Sequence, residues 1–339
     1  MHDINSLFEN FSSLKVGVIG DVMLDTYMWG DVDRVSPEAP VPIVSLKKKE
    51  HRVGGAGNVA LNLKSLGAQT FVISVTGNDD EAKKLNELFS SAQIDARYSF
   101  KSDKRITTNK IRIIGRNQQM MRLDGEILDD LNTDDEKTLI ASFEEFLNNE
   151  KPDVVIMQDY NKGVLTEKVI ESVIAACTSH GVVTAVDPKR KNFFCYKNVD
   201  IFKPNFKEAK DALNYLHADV NNDTLSGIHR ELYQRLHHKI SFITLSEKGV
   251  FYQQDNRSDI IPSHIRNVAD VSGAGDTVIA AAAVVYAVSR DLQLMAEIAN
   301  MAGGLVCEQV GTVPVDKSRL EEKAEALLSG AKKTSKYSA

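Results

Sequence analysis

Asp270-Val271-Ser272-Gly273-Ala274-Gly275-Asp276-Thr277 runs straight into an apolar, alanine-rich stretch from Val278 to Val288. A stretch that is apolar all round predicts a buried helix. The glycines therefore fall where a loop becomes a helix N-terminus. Such a terminus presents N–H groups with no partner inside the helix, and it carries the positive end of the helix dipole. Both attract an anion. Gly273, Ala274 and Gly275 put no bulk in front of those amides. Asp276 stands in the middle of that anion site, where its carboxylate would repel a phosphate. It suits a base that takes a proton from a hydroxyl as the hydroxyl attacks a phosphoryl group. Taken alone, the octet is equally a glycine turn with an acidic residue in a first helical turn, where aspartate is common.

Outward from this stretch the chain alternates. Short apolar, β-branched runs occur at Lys15 to Gly20, Thr70 to Val75, Asp153 to Met157, Val182 to Val186 and Ser241 to Leu245. Helical patterns occupy 58–66, 79–92, 134–149, 166–179, 206–216 and 224–238, and Thr133 with Glu136 reads as a capping box. This alternation predicts an α/β fold, a three-layer, doubly wound, mostly parallel sheet with ligands beyond the C-terminal strand ends. Two stretches break it, 27–46 and 97–124. They read as antiparallel strands outside the main sheet, a small β lid or dimer surface within a single domain of residues 1–330. The basic, polar tail at 331–339 reads as disordered.

The chain has 339 residues, 42% of them hydrophobic, and a net charge of −6. That supports one large domain with an appendage and argues against nucleic acid as a partner. Cys177, Cys195 and Cys307 are widely spaced and lack a CxxC pattern, which fits a reducing compartment and no zinc site. No apolar run reaches membrane-spanning length and residues 1–14 lack a signal-peptide pattern, so the expectation is a soluble, cytoplasmic protein.

Further motifs carry chemistry. Val53-Gly54-Gly55-Ala56-Gly57-Asn58-Val59-Ala60 contains GxGxxA, but the charged residues 47–52 before it make a poor central strand for a dinucleotide site. It reads better as a loop that lets a small polar ligand approach Gly54 and Gly55, with Asn58 hydrogen-bonding it. Asp21 and Asp25 follow the first strand and suit a ligand with several hydroxyls, or a solvated turn. Asn205 and Glu208 share one helix face and could hold hydrated Mg²⁺, or form a helix cap. Lys189, after Asp187-Pro188, could reach phosphates. His237-His238 reads as a surface pair.

Together, Gly54 to Asn58, Asn205-x-x-Glu208 and Asp270 to Asp276 are similar to the signatures of the ribokinase-like (PfkB) carbohydrate kinases, in order over roughly residues 15 to 330. The resemblance implies ATP-dependent phosphorylation of a sugar hydroxyl, with Asp276 as base and 273–275 as the anion hole. It implies that Asp25, Gly55 and Asn58 grip the sugar and that Asn205 and Glu208 organise Mg²⁺. Thr244, Ser246 and Gly249 match a nucleotide segment, with Ser246 in place of a glycine. Asn300 and Gly303 match a segment beside adenine. A requirement for K⁺ stays open. Ser36 to Pro42, Arg116-Asn117-Gln118-Gln119 to Asp124, and Asp159-Tyr160-Asn161-Lys162-Gly163 resemble the branch that phosphorylates the anomeric hydroxyl of a heptose 7-phosphate. That branch often carries a fused nucleotidyltransferase with His-x-Gly-His; this sequence has no such motif, so a kinase module is expected. A phosphorylated substrate calls for a cationic pocket, with Arg34, Arg116, Arg122 and Lys162 as candidates; Gln118 and Asp159 join the substrate set. The expected partners are a sugar phosphate, ATP and a second copy bound through the lid, with no membrane. Another sugar kinase, an NAD-dependent oxidoreductase and a non-catalytic sugar-binding regulator are the alternatives.

Overall fold

The computed structural model describes residues 3–116, 118–215, 219–263 and 268–334, with the backbone alone for 328–334. In chain order the elements are Ile4–Asn10 (α1), Lys15–Gly20 (β1), Val22–Val35 (β2), Pro42–Gly55 (β3), Ala56–Leu66 (α2), Gln69–Ile73 (β4), Val75–Gly77 (β5), Asp80–Ser91 (α3), Phe100–Ser102 (β6), Asn109–Gly115 (β7) and Gln118–Gly125 (β8). Then come Thr133–Glu150 (α4), Val154–Gln158 (β9), Glu167–His180 (α5), Val183–Asp187 (β10), Ile201–Phe202 (β11), Phe206–Leu213 (α6), Asn222–Leu236 (α7), Ile240–Thr244 (β12), Val250–Gln254 (β13), Arg257–Ile261 (β14), Ala274–Ser289 (α8), Leu292–Cys307 (α9) and Lys317–Thr334 (α10).

The main sheet runs β14-β13-β12-β11-β10-β9-β1-β4. From β4 to β12 every pairing is parallel, and β13 and β14 add an antiparallel edge. Its inner strands are apolar throughout because both faces are covered. Successive side chains go to opposite cores. Val154 and Ile156 pack into the core that holds α2, α8 and α9, and Val155 and Met157 into the core that holds α4, α5 and α7. α8 is apolar on all sides from Val278 to Tyr286 because this stretch is buried inside the first of these. Three-layer packing of this kind places the C-terminal ends of β1, β9, β10, β11 and β12 side by side.

The second sheet runs β3-β2-β7-β8, with β2 and β3 antiparallel, β7 and β8 antiparallel, and the inner pair β2 and β7 parallel. Its limits differ from the expected 27–46 and 97–124. Its first hairpin spans Val22 to Gly55, and Phe100–Ser102 lies outside it, pairing with β5. Residues 47–52 look unlike a strand only if both faces must be buried. In an exposed strand their charges pair locally, Lys47 with Asp31 and Arg52 with Glu50.

Three local readings change. The cap of α4 is Asn132, which accepts from the amides of Asp134 and Asp135, while Glu136 instead takes the Thr166 hydroxyl and the Lys168 ammonium. Of the two histidines only His237 is exposed. His238 is buried against Ser241, and burial pushes its imidazole down to about 3. The expected disordered tail is helical as far as Thr334; residues 335–339 lie outside the described residues, as does Asn117. Among the described residues no helix is long and apolar enough to cross a membrane.

Candidate active site

Asp276 sits in the first turn of α8, and Gly273 forms that helix's N-cap at φ +78°. A side chain at 273 would be strained there, and its Cβ would lie 2.7 Å from the Asn58 amide nitrogen. No side chain caps α8; the Ala274 amide donates to the Val271 carbonyl at 3.3 Å, and Gly273, Ala274 and Gly275 line the cavity at this helix start. The Asp276 carboxylate is 3% exposed. It accepts from Asn58 Nδ2 at 2.8 Å, the Tyr160 hydroxyl at 2.7 Å and Gln158 Nε2 at 3.0 Å. Burial nevertheless dominates and pushes its carboxyl up to about 6. That value suits a base near neutral pH. Gln158 is absent from the sequence-derived candidates, although it ends β9, where a polar residue after an apolar run marks a ligand-facing strand end.

The cavity beside Asp276 has a volume of about 620 Å³. One wall carries Asn300 and Gly303 of α9, and the other carries Lys189, Asn205, Glu208, Thr244, Ser246 and Gly249. Ser246 has φ +56° and Gly249 φ +96°, which accounts for a glycine preference in this turn. Asn300 donates to the Pro262 carbonyl at 2.8 Å. Asn205 and Glu208 form a reciprocal capping box at the start of α6. The other Glu208 oxygen accepts from Lys189 at 2.6 Å. Lys203, 3% exposed in its side chain, and Lys189 both pair with Asp187. Burial alone would lower the Lys189 ammonium, but Asp187 and Glu208 hold it above its usual range. With their oxygens committed in this way, Asn205 and Glu208 fit a hydrated Mg²⁺ reached through its waters, not a directly ligated one. Among the described residues no group of three or more His, Cys, Asp or Glu side chains could hold a metal.

On the far side of Asp276 lies the inner face of the small sheet. Asp25 is paired with Arg112 at 2.5 Å, and its Oδ2 lies so close to Gly54 that any Cβ there would collide with it. Asp21 and Asp159, read as substrate ligands, are engaged elsewhere. Asp21 accepts from the amides of Tyr160, Lys162 and Val164. Asp159 accepts from Asn161 N and from the Tyr196 hydroxyl. The two buried carboxylates fix the 159–164 loop that carries Tyr160. Burial, followed by the nearby Asp21, pushes Asp159 up to about 6.

Most candidate cations are also committed. Arg34, Arg116 and Gln118 are exposed in the outer part of the small sheet, and Arg116 donates to the Val32 carbonyl. At about 3.3 Å per residue, Arg34 lies on the order of 30 Å along β2 from Asp25. Arg122 pairs with Asp124, and Lys162 pairs with Glu126 at 2.8 Å. Two residues missing from the sequence reading, Lys110 and Arg112 of β7, lie on the inner face beside Asp25. Only the register of β7 against β2 reveals them. Gly55, which ends β3, and Gly57, in the first turn of α2, belong to the end of a small-sheet strand, not of a central strand. The supporting context for nicotinamide binding is therefore absent.

The sequence pattern of the pfkB family carbohydrate kinases matches residues 13–318. The chain is 39% identical over 312 residues to the bifunctional protein HldE of Aliarcobacter butzleri, covering 91% of this chain and 64% of the relative. It is 37% identical over 324 residues to that of Geotalea uraniireducens, covering 94% and 64%. The chain thus spans 64% of the length of these relatives. In fold it is similar to phosphofructokinase-2 from Escherichia coli in complex with potassium, with TM-score 0.77, 16% identity and coverage of 93% and 99%. It is similar also to Arabidopsis thaliana ribokinase complexed with ribose and ATP, with TM-score 0.71, 17% identity and coverage of 91% and 99%.

Proposed function

The chain belongs to the pfkB family of carbohydrate kinases, and from that premise we propose that it transfers the γ-phosphoryl group of ATP to the anomeric hydroxyl of D-glycero-β-D-manno-heptose 7-phosphate. One observation carries the kinase chemistry: a buried carboxylate, Asp276, stands at the open N-terminus of α8 between a cavity and the inner face of the small sheet. The substrate assignment is supported by the HldE relatives and by the three segments that resemble the heptose branch.

In this reading the nucleotide takes the cavity lined by Thr244, Gly249, Asn300 and Gly303. Asp276 removes the proton from the attacking hydroxyl, held in place by Asn58 and Tyr160. The amides of 273–275 stabilise the charge that spreads over the transferring group. Lys189 and Lys203 supply positive charge beside the phosphates. A bound Mg²⁺ would neutralise phosphate charge, with Asn205 and Glu208 holding its waters. Asp25, kept in place by Arg112, grips a sugar hydroxyl.

The small sheet serves in this reading as lid and as the seat of a second copy. Met121 and Leu123 of β8 are 55% and 47% exposed, on the face opposite Arg122 and Asp124. A two-sided sheet with charges inward and apolar side chains outward buries its outer face against another molecule. A monomeric mass by light scattering would remove the dimer.

The experiment is ADP release with Mg-ATP against heptose 7-phosphate, fructose 6-phosphate, ribose and sugar-free buffer. Release with the heptose phosphate alone is expected. Release only with another sugar would keep the kinase machinery and discard the heptose.

A further inference from the structure

Lys110 is an unusual cation in this site. It lies on β7 directly opposite Asp25 of β2 and Asp124 of β8, on the inner face of the small sheet. Its neighbours are matched: Arg112 with Asp25, Arg122 with Asp124, Lys162 with Glu126, and Lys189 with Asp187 and Glu208. Among the described residues no carboxylate comes within ion-pair reach of the Lys110 ammonium. The ammonium lies over the Tyr160 ring, 5.7 Å from its centroid. Burial first, and Lys162 next, depress the ammonium, outweighing the pull of Asp25, Glu126 and Asp124, which lie near it without pairing with it. A half-buried, unpaired cation beside a second cation is costly unless an anion completes it.

A second observation points to the same place. Glu126, which pairs with Lys162 through one oxygen, leaves Oε2 buried with no hydrogen-bond partner. The site therefore has a donor cation without an anion and an acceptor without a donor. A sugar phosphate supplies both, in its phosphate and its hydroxyls.

The position relative to the chemistry fits as well. The Tyr160 hydroxyl donates to Asp276, while Lys110 stands at the ring of the same residue. A hydroxyl held at Asp276 and an anion held at Lys110 are thus the reacting end and the far end of one small molecule. Lys189 stands 5.7 Å from the same ring centroid and is joined to the nucleotide wall through Glu208. Tyr160 therefore contacts one cation of each side.

We propose that Lys110, with Lys162 beside it, is the receptor for the phosphate that the sugar substrate already carries at the end remote from the reacting hydroxyl. This deepens the sugar-phosphate reading above and rests on it. It also replaces Arg34, Arg116 and Arg122, which are all exposed, in the role of phosphate anchor; Lys162 is paired with Glu126 but stays on the inner face beside Lys110.

The test compares kcat/KM for sugar phosphates with that for the same sugars unphosphorylated, in the full chain and in Lys110→Gln and Lys110→Arg. The full chain should prefer the phosphorylated form. In Lys110→Gln that preference should fall roughly 10- to 100-fold, through KM for the sugar phosphate, while KM for ATP holds. Lys110→Arg should restore part of it. Calorimetric binding of sugar phosphate without nucleotide should weaken in parallel. Preference for the phosphorylated sugar that survives unchanged in Lys110→Gln would overturn the role of Lys110 alone. A full chain that prefers the unphosphorylated sugars would overturn the sugar-phosphate reading and the receptor with it.

Discussion

Replacing Asp276 by asparagine should make the protein inactive without making it less stable at neutral pH. The carboxyl is pushed from its ordinary 3.8 up to about 6 by burial. At 1.36 kcal/mol per unit, the ionised form is disfavoured in the folded state by about 3 kcal/mol. The sign follows from linkage. Because the folded value is raised, the penalty is absent below the unfolded value of 3.8. It grows as pH rises through the interval up to about 6, and it is constant above that. Asparagine has no charge to bury, but it offers one acceptor where Asn58, Tyr160 and Gln158 now donate to two oxygens. The weakened hydrogen bonding costs about 1.5–3 kcal/mol. The two effects leave the variant between equal to the wild type and about 1.5 kcal/mol more stable above pH 7. Its advantage over the wild type should grow by about 3 kcal/mol across the titration. Denaturant unfolding of both proteins at several pH values reads this directly. Turnover should fall about 10²- to 10⁴-fold, the contribution of a general base, with nucleotide binding retained. Turnover within tenfold of wild type would remove Asp276 as base, and a variant several kcal/mol less stable at pH 8 would refute the burial penalty.

Tyr160→Phe removes a donor that lowers the Asp276 value, so the acid limb of the kcat/KM profile should move to higher pH; an unmoved limb would disconnect the tyrosine from the base. Gly273→Ala strains a backbone at φ +78° and drives its Cβ towards the Asn58 amide, so it should lose about 1–3 kcal/mol of stability and about 100-fold in turnover, as read by melting and steady-state assays. Glu208→Gln breaks the 2.6 Å pair with Lys189; KM for ATP should rise while KM for the sugar holds, and equal rises in both would place Glu208 outside the nucleotide wall.

The local periodicities were legible in the sequence. Short, β-branched apolar runs such as Val154 to Met157, set between helical patterns, read as strands covered on both faces. An all-apolar helix after Gly273-Ala274-Gly275 can only be buried. Those two facts suffice for a layered α/β fold and for an anion-binding helix start. The small sheet was legible as an interruption, but its limits were not. Whether residues 47–52 form a strand depends on how many faces are covered, which is a property of the neighbours.

What the tertiary structure alone decided is which polar groups are already taken. Asp21 and Asp25 look alike in the sequence, yet one holds three backbone amides of the 160–164 loop and the other stands beside Arg112 on the inner face. Arg116, Arg122 and Lys110 are equally basic in the sequence; only the fold shows that the first two meet the Val32 carbonyl and Asp124, and that the carboxylates opposite Lys110 pair with Arg112 and Arg122 instead. Composition and spacing determine which residues can bury and which can bind. Partners distant along the chain determine which binding groups remain free, because a charge or amide that meets its complement on folding has little left to offer a ligand.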